Sequence, residues 1–335
     1  MKKILYIGNR LNSDKATVTS VETLGNLLQE EGYTVVAVSS KNNKFLRLLD
    51  MMTTVIKSGK KMDVVLIDTY STLNFYYAVV IGWLCRRMEI PYIPILHGGN
   101  LPQRIAKSKR LSNTLFNNAK INVAPSGYMF HHFKKAGYDN VVLIPNTLSM
   151  DKYPFYVRKP LEAQLLWVRS FAKIYNPMMA LKVIEKLVEI YPDATLCMVG
   201  PDKDGTMHMC KNYTEEKNLP VRFTGKLSKE QWIELSRGYS IFINTTNFDN
   251  TPVSVMEAMA LGLAVVTTGV GGIPYLLDEN EAVIVDANEV EEMVEGICRL
   301  LKNPSYAEQK VINSRKKAES FDWKYVKLRW NELLL

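Results

Sequence analysis

Apolar residues in this chain fall into short strand-length runs that alternate with longer segments of helical spacing. The first run, Lys3-Ile4-Leu5-Tyr6-Ile7-Gly8, ends in glycine, and residues 18–31 then place Val21, Leu24, Leu27 and Leu28 at helical spacing before Gly32. Residues 35–39, 64–67, 93–96 and 141–144 repeat the strand pattern, with helix-length segments between the earlier ones. Such alternation predicts a parallel, doubly wound sheet in the first half. The polar, proline-containing stretch 151–160 reads as a linker. A second alternation follows, with strands at 165–168, 195–199, 221–223, 241–244 and 264–267 and helices at 178–190 and 253–261. The amphipathic segment 323–334 closes the chain.

Length supports two bodies. A chain of 335 residues is too long for one ordinary core, so it divides into domains 1–150 and 151–320, with a last helix in 321–335 expected to cross back onto the first domain. With 47% hydrophobic and 23% charged residues, the composition excludes disordered and fibrous classes. Cys85, Cys197, Cys210 and Cys298 are far apart, mostly within apolar runs, and read as reduced core thiols. The apolar run 4–8 is too brief for a signal peptide, and the longest such run, 78–85, is far short of a membrane span, so a cytoplasmic protein is expected.

Sheets of this type bind ligands at the C-terminal ends of their strands. Those ends carry Gly8-Asn9-Arg10, Asp68-Thr69-Tyr70 and His97-Gly98-Gly99-Asn100 in the first half. His97 stands out because the glycines after it let the loop come close to a ligand, whereas His131 and His132 sit in an ordinary helix.

The strongest local signal runs from Phe248 to Gly262. Pro252 suits the first turn of a helix and Thr251 can cap it, which leaves the amides of Val253, Ser254 and Val255 open. Open amides at the positive end of a helix bind a diphosphate or a cluster of sugar hydroxyls. Asp249 and Glu257 lie eight positions apart and can face the same pocket, where carboxylates accept hydrogen bonds from vicinal diols. As an isolated pair, they serve equally well to stabilise a helix start.

Phe248 to Gly262, with Val265-Val266 and Gly271-Gly272 after it, resembles the family 4 retaining glycosyltransferases of the GT-B fold, whose signature is two acids separated by seven residues and followed by Ala-Met-Ala-x-Gly. The resemblance extends to Ala124-Pro125-Ser126, Ile144-Pro145-Asn146 and Met198-Val199-Gly200. It implies an α/β GT-B fold, with two Rossmann-like domains whose parallel sheets face an interdomain cleft. It also implies that Asp249 touches donor-sugar hydroxyls, that Glu257 binds the nucleotide ribose, and that Thr251, Pro252, Val253 and Ser254 meet sugar and phosphate. Asp249 stands where the family usually has glutamate. In Trp167-Val168-Arg169-Ser170-Phe171-Ala172-Lys173, Arg169 and Lys173 look like the diphosphate-binding cations, with Lys173 one residue earlier than usual. A departing diphosphate gathers negative charge, and metal-independent catalysis without a cofactor requires cations of the protein there. The resemblance further implies that His97 and Gly98 approach the donor sugar, that Gly200 lies at the donor, and that Gly225, Lys226 and Leu227 pass the base. Relatives often have a glycine pair after the first strand; here Gly8 and Thr17 to Thr19 stand in that position.

Charge adds a partner. Residues 1–150 hold 19 Lys and Arg against 9 Asp and Glu, while the remainder holds 23 against 25. Such a one-sided field either is simply a solvated face or attracts an anionic partner, which is acidic lipid headgroups at the inner face of a membrane or a phosphorylated acceptor, with nucleic acid not expected. Arg104, Lys107, Lys109 and Arg110 alternate with Leu101, Ile105, Leu111 and Leu115 on a segment suited to that role. The function implied is transfer of a sugar, with retention, from a UDP- or GDP-sugar to a hydroxyl of a glycan or lipid-linked acceptor in polysaccharide biosynthesis. A GT-B nucleotide-sugar epimerase and a non-catalytic sugar-nucleotide or nucleic-acid binding protein are the alternatives.

Overall fold

The computed structural model describes residues 2–9 and 20–334; Arg10, Ala16, Thr17, Val18 and Thr19, to which the sequence pattern drew notice, lie outside the described residues. The chain forms two compact units, Met1–Pro145 with Leu328–Leu335, and Asn146–Lys327.

The first unit is built on β1 (Lys3–Ile7), β2 (Thr34–Val38), β3 (Val64–Thr69), β4 (Tyr92–Leu96), β5 (Asn122–Ala124) and β6 (Val141–Leu143). The strands lie in the order β2-β1-β3-β4-β5-β6, and all pairs are parallel. β3 and β4 are buried along their whole length, as expected of strands covered by helices on both faces. The order reverses between β1 and β3, which opens a crevice beyond their C-terminal ends.

The second unit contains β7 (Gln164–Val168), β8 (Thr195–Val199), β9 (Val221–Gly225), β10 (Ile241–Asn244), β11 (Ala264–Thr268) and β12 (Val283–Val285). Their order, β12-β11-β10-β7-β8-β9, is the doubly wound arrangement of dinucleotide-binding sheets, with its reversal between β7 and β10. Successive side chains point to opposite faces, and the core follows them. Leu165, Trp167, Ile241 and Ile243 pack into one cluster, and Leu166, Phe242 and Val265 into the other. The three-residue strands β5 and β12 are too short to show a period in the sequence.

All four cysteines are buried and free, and burial pushes the Cys85 and Cys210 thiols up to about 12. Among the described residues, no helix is long and apolar enough to cross a membrane.

Two sequence expectations require correction. The stretch 151–160 is no free linker: it belongs to the second unit, where Tyr153 is buried and Arg158 donates to the carbonyls of Tyr156, Ser236, Tyr239, Leu261 and Gly262. The stretch is anchored by Tyr153 and by the five carbonyls that Arg158 meets, while Asp151, Lys152 and Lys159 stay exposed. Similarly, the segment 101–116 forms two helices, Leu101–Lys107 and Lys109–Phe116, that turn Leu101, Ile105 and Leu115 into the core, while Arg104 donates to the carbonyl of Ser71. The apolar spacing there reports the core face, leaving only Leu111 of that set exposed.

Candidate functional site

The reversal in the second sheet places two loops together. Trp167, in β7, donates its indole N–H to the Thr245 hydroxyl 3.1 Å away, just beyond β10, and Thr245 in turn donates to the carbonyls of Tyr175 and Asn176. The amide of Asn247 donates to the carbonyl of Ile174 at 2.8 Å. The loop after β8 joins them, because the Arg169 amide donates to the Val199 carbonyl and the Lys173 amide to the Asp204 carboxylate, each at 3.0 Å. Gly200 follows from this closeness: its φ is +150°, and a Cβ there would overlap the Arg169 carbonyl. Gly271 and Gly272 likewise leave no room for a Cβ beside the carbonyls of Asp249 and Asn250.

Arg169 lies at the end of β7 and forms an ion pair with Asp249. Both side chains are largely buried, and the guanidinium lies over the Tyr175 ring at 4.6 Å. Burial pulls the Arg169 pKa down, while Tyr175 and Glu257 pull it up, and the guanidinium stays charged. Its Nε has no partner among the described residues, and neither have the buried hydroxyls of Thr251 and Ser254. Unpaired buried donors of this kind are costly unless a ligand meets them.

The acid helix runs Val253–Leu261, the bounds its sequence suggests, with Pro252 just before the first turn and not within it. Pro252 is the N-cap, and no side chain caps the helix, so Thr251 does not perform the capping role expected of it. The Val255 amide is also taken, by the Pro252 carbonyl at 3.0 Å. Among the described residues, the amides of Val253 and Ser254 have no backbone acceptor, as first-turn geometry requires. One turn on, Glu257 is buried and accepts from the Tyr153 hydroxyl at 2.8 Å and from the Lys229 ammonium. The Tyr153 pKa is raised, by burial first and then by Glu257, so the phenol stays protonated and donates.

Other expected residues lie at differing distances from this centre. Lys173 is exposed in a single 3-10 turn, beside Asp204 rather than in the buried pair. Gly225 ends β9 at φ +71° and its carbonyl accepts from the Gly200 amide at 2.8 Å; Lys226 beyond it is exposed and Leu227 packs on the core. Sequence reasoning missed Lys229 and Tyr153. Lys229 was marked by the capping box that Ser228 and Gln231 form around it, a helix start that places its ammonium on Glu257. Tyr153 lay in the stretch taken for a linker.

In the first unit the reversal between β1 and β3 holds a different network. His97, after β4, meets Asp68 at 2.9 Å through Nε2 and stacks on Tyr70, with ring centroids 5.4 Å apart. The Tyr6 hydroxyl donates to the same Asp68 oxygen at 3.0 Å, while the buried Asp68 Oδ2 has no partner among the described residues. Gly8 leaves 2.6 Å between its missing Cβ and that oxygen, and Gly98 lets the His97 loop approach the backbone of Tyr70 and Ser71. A small pocket lined by Gly8, Asn9, Asp68, Tyr70, Asn74 and Tyr77 opens here.

Comparison with known proteins places the second unit. Residues 152–317 match the family model described as glycosyl transferases group 1. A sulfoquinovosyl transferase of Arabidopsis thaliana is 26% identical over 43% of this chain and 28% of its own length. The glycogen synthase of Mycobacterium tuberculosis is 21% identical over 57% of this chain and 47% of its own. The chain thus spans less than half the length of these curated relatives. Among solved structures, Anabaena HepE in complex with UDP-glucose superimposes with a TM-score of 0.81 at 14% identity, over 100% of this chain and 99% of that one. The sucrose-phosphate synthase of Thermosynechococcus elongatus gives 0.78 at 15% identity, over 99% and 98%. These likenesses establish the two-sheet fold as GT-B.

Proposed function

Residues 152–317 form a glycosyl transferases group 1 domain on a GT-B fold, and from that premise we propose that this chain transfers a sugar from a nucleoside-diphosphate sugar to a hydroxyl of a glycan or lipid-linked acceptor. The observation that carries the reading is the buried Arg169, paired with Asp249 beside a helix start whose first amides, together with the Thr251 and Ser254 hydroxyls, await a partner. Such a group of donors suits a diphosphate.

In this reading, Arg169 and the amides of Val253 and Ser254 hold the diphosphate and stabilise the charge that gathers on it as the sugar departs. Asp249 aligns the guanidinium and accepts from a sugar hydroxyl, and Glu257 accepts from the ribose diol when Lys229 moves aside. The donor is UDP- or GDP-linked. Transfer proceeds with retention of the anomeric configuration, the departing phosphate taking the acceptor proton on the same face, and the protein supplies the countercharge without a metal. His97 and Gly98 contribute from the first unit.

A thermal-shift screen of the purified chain with UDP-, GDP- and ADP-sugars tests the donor, since the preferred one raises the melting temperature by mass action. Product analysis then separates the readings. Transfer to a hydroxyl acceptor with retention supports the proposal; an epimerised nucleotide sugar formed without acceptor, or no turnover despite binding, sinks it.

A further inference from the structure

The Lys44–Ser58 helix of the first unit packs on the core through Met51 and Val55, yet its outer face is apolar as well. Phe45 is 70% exposed, Leu46 and Ile56 are each 54% exposed, and Leu49 is 42% exposed. At about 100° per residue, Phe45, Leu49 and Ile56 fall within about 40° of one another, on the side away from Met51 and Val55, and Leu46 widens the stripe to about 100°. A surface helix of a soluble domain carries polar residues there.

Charge frames this stripe. Residues 41–61 hold six cations, Lys41, Lys44, Arg47, Lys57, Lys60 and Lys61, and one carboxylate, Asp50. All five lysines are exposed, while Arg47 is buried and bonded to the carbonyls of Lys41 and Asn42 and the side chain of Asn9. Asp50 is occupied by the Ser39 hydroxyl at 2.5 Å, and Asp63, next along the chain, by the Lys3 amide at 2.6 Å. The neighbouring Asn74–Arg87 helix, joined by the Tyr77 hydroxyl donating to the Lys44 carbonyl, shows the same signature, with Tyr76 and Trp83 exposed and Arg87 over the Trp83 ring at 5.7 Å.

We propose that the outer face of the Lys44–Ser58 helix docks on an anionic lipid surface, with Phe45, Leu46, Leu49 and Ile56 entering the headgroup boundary and the five lysines meeting the phosphates. Lysine is depleted from protein interfaces but fits the headgroup layer, where each cation near the surface adds attraction. Tyrosine and tryptophan suit the same depth. The basic excess of the N-terminal half thereby acquires a location. It is not the Leu101–Phe116 segment, whose apolar residues are spent on the core. The inference stands apart from the proposed catalytic activity.

Co-sedimentation of the full chain with vesicles tests it, using phosphatidylcholine alone and with about 30% phosphatidylglycerol. The chain pellets with the anionic vesicles at low salt and stays in solution with the neutral ones. Phe45→Ser/Leu49→Ser/Ile56→Ser weakens binding by about tenfold or more, and Lys57→Glu/Lys60→Glu/Lys61→Glu does so without touching the apolar stripe. Lys109→Glu/Arg110→Glu, elsewhere on the first unit, binds as the parent does. No pelleting of the parent, undiminished binding by both triple variants, or an equal loss in the Lys109/Arg110 variant overturns the proposal. So does a parent dimer that the serine variant dissociates, which assigns the stripe to a second copy.

Discussion

Two doubly wound sheets in one chain place opposite chemistries at corresponding crevices. Beyond β7 and β10 a buried guanidinium pairs with the Asp249 carboxylate, next to a helix start with open amides. Beyond β1 and β3 a buried carboxylate sits between a phenol and an imidazole, while Arg47 donates to the Lys41 and Asn42 carbonyls and the Asn9 side chain, and Arg104 to the Ser71 carbonyl. The net charges run the other way, since the residues up to 150 are strongly basic and the rest slightly acidic. What a crevice binds is set by the few charges that are desolvated in it, because interactions strengthen in a low dielectric, while the exposed lysines that fix the net charge act on outer surfaces.

The contrast breaks most sharply at Arg169. Arg169→Ala is expected to lower kcat/KM for sugar transfer by about a thousandfold, the scale of losing a charged contact to a departing group. It also leaves Asp249 buried without its partner, at about 3 kcal/mol of stability, which a melting curve reads separately. Arg169→Lys keeps the charge but loses the planar fork, and falls between parent and alanine variant. Transfer by Arg169→Ala within about threefold of the parent, in a folded protein, would remove the anion site from the second unit.

Glu257 comes next. Glu257→Gln retains the shape of the side chain but gives up a charged acceptor, so donor affinity by calorimetry drops by about tenfold to a hundredfold. Tyr153→Phe deletes one of the two groups that hold Glu257 and costs about 1 kcal/mol of stability, with donor affinity little changed. A larger affinity loss from Tyr153→Phe than from Glu257→Gln would mean that the phenol, rather than the carboxylate, meets the nucleotide.

Asp68→Asn asks the converse question of the first unit. The variant disturbs a carboxylate that accepts from Tyr6 and His97, so about 1–3 kcal/mol of stability is lost while UDP affinity stays within about threefold of the parent. A fall in UDP affinity comparable to that of Arg169→Lys erases the distinction between the crevices.

Most of this fold was legible in the pattern of apolar runs, because parallel strands covered on both faces must be continuous in Val, Ile and Leu. The acid helix was legible too, since its spacing and its glycine are local features. The failures share one cause. Spacing shows that a helix has an apolar face but not where that face points, so Leu101, Ile105 and Leu115 were taken for an outer surface, whereas Phe45 and Leu49, which are outside, were passed over. Polarity shows that groups need hydrogen bonds but not whether water supplies them, so the stretch holding Tyr153 and Arg158 was taken for a linker. Lys229 depends on a contact with Glu257 from another element, which no local pattern specifies.

The smallest effect concerns how the Arg169 loop is held. Asp204, in the loop after β8, accepts from the Thr206 hydroxyl and from the amides of Lys173 and Thr206. Its pKa is lowered, first by the Thr206 hydroxyl and then by the Lys173 amide. A carboxyl whose folded value lies below its unfolded one contributes stability that is fully present above the unfolded value, near about 4, and lost as pH falls through the folded one. Asp204→Asn removes that contribution, so the variant melts slightly below the parent at neutral pH, and the two curves converge as pH drops below about 4. The group is exposed, so the difference is small and shrinks with added salt. No counterpart to this tether is needed for His97, whose imidazole is fixed by side-chain contact with Asp68 and Tyr70. A melting difference that persists unchanged into acid would mean that Asp204 shapes the loop through its backbone position and not through its charge.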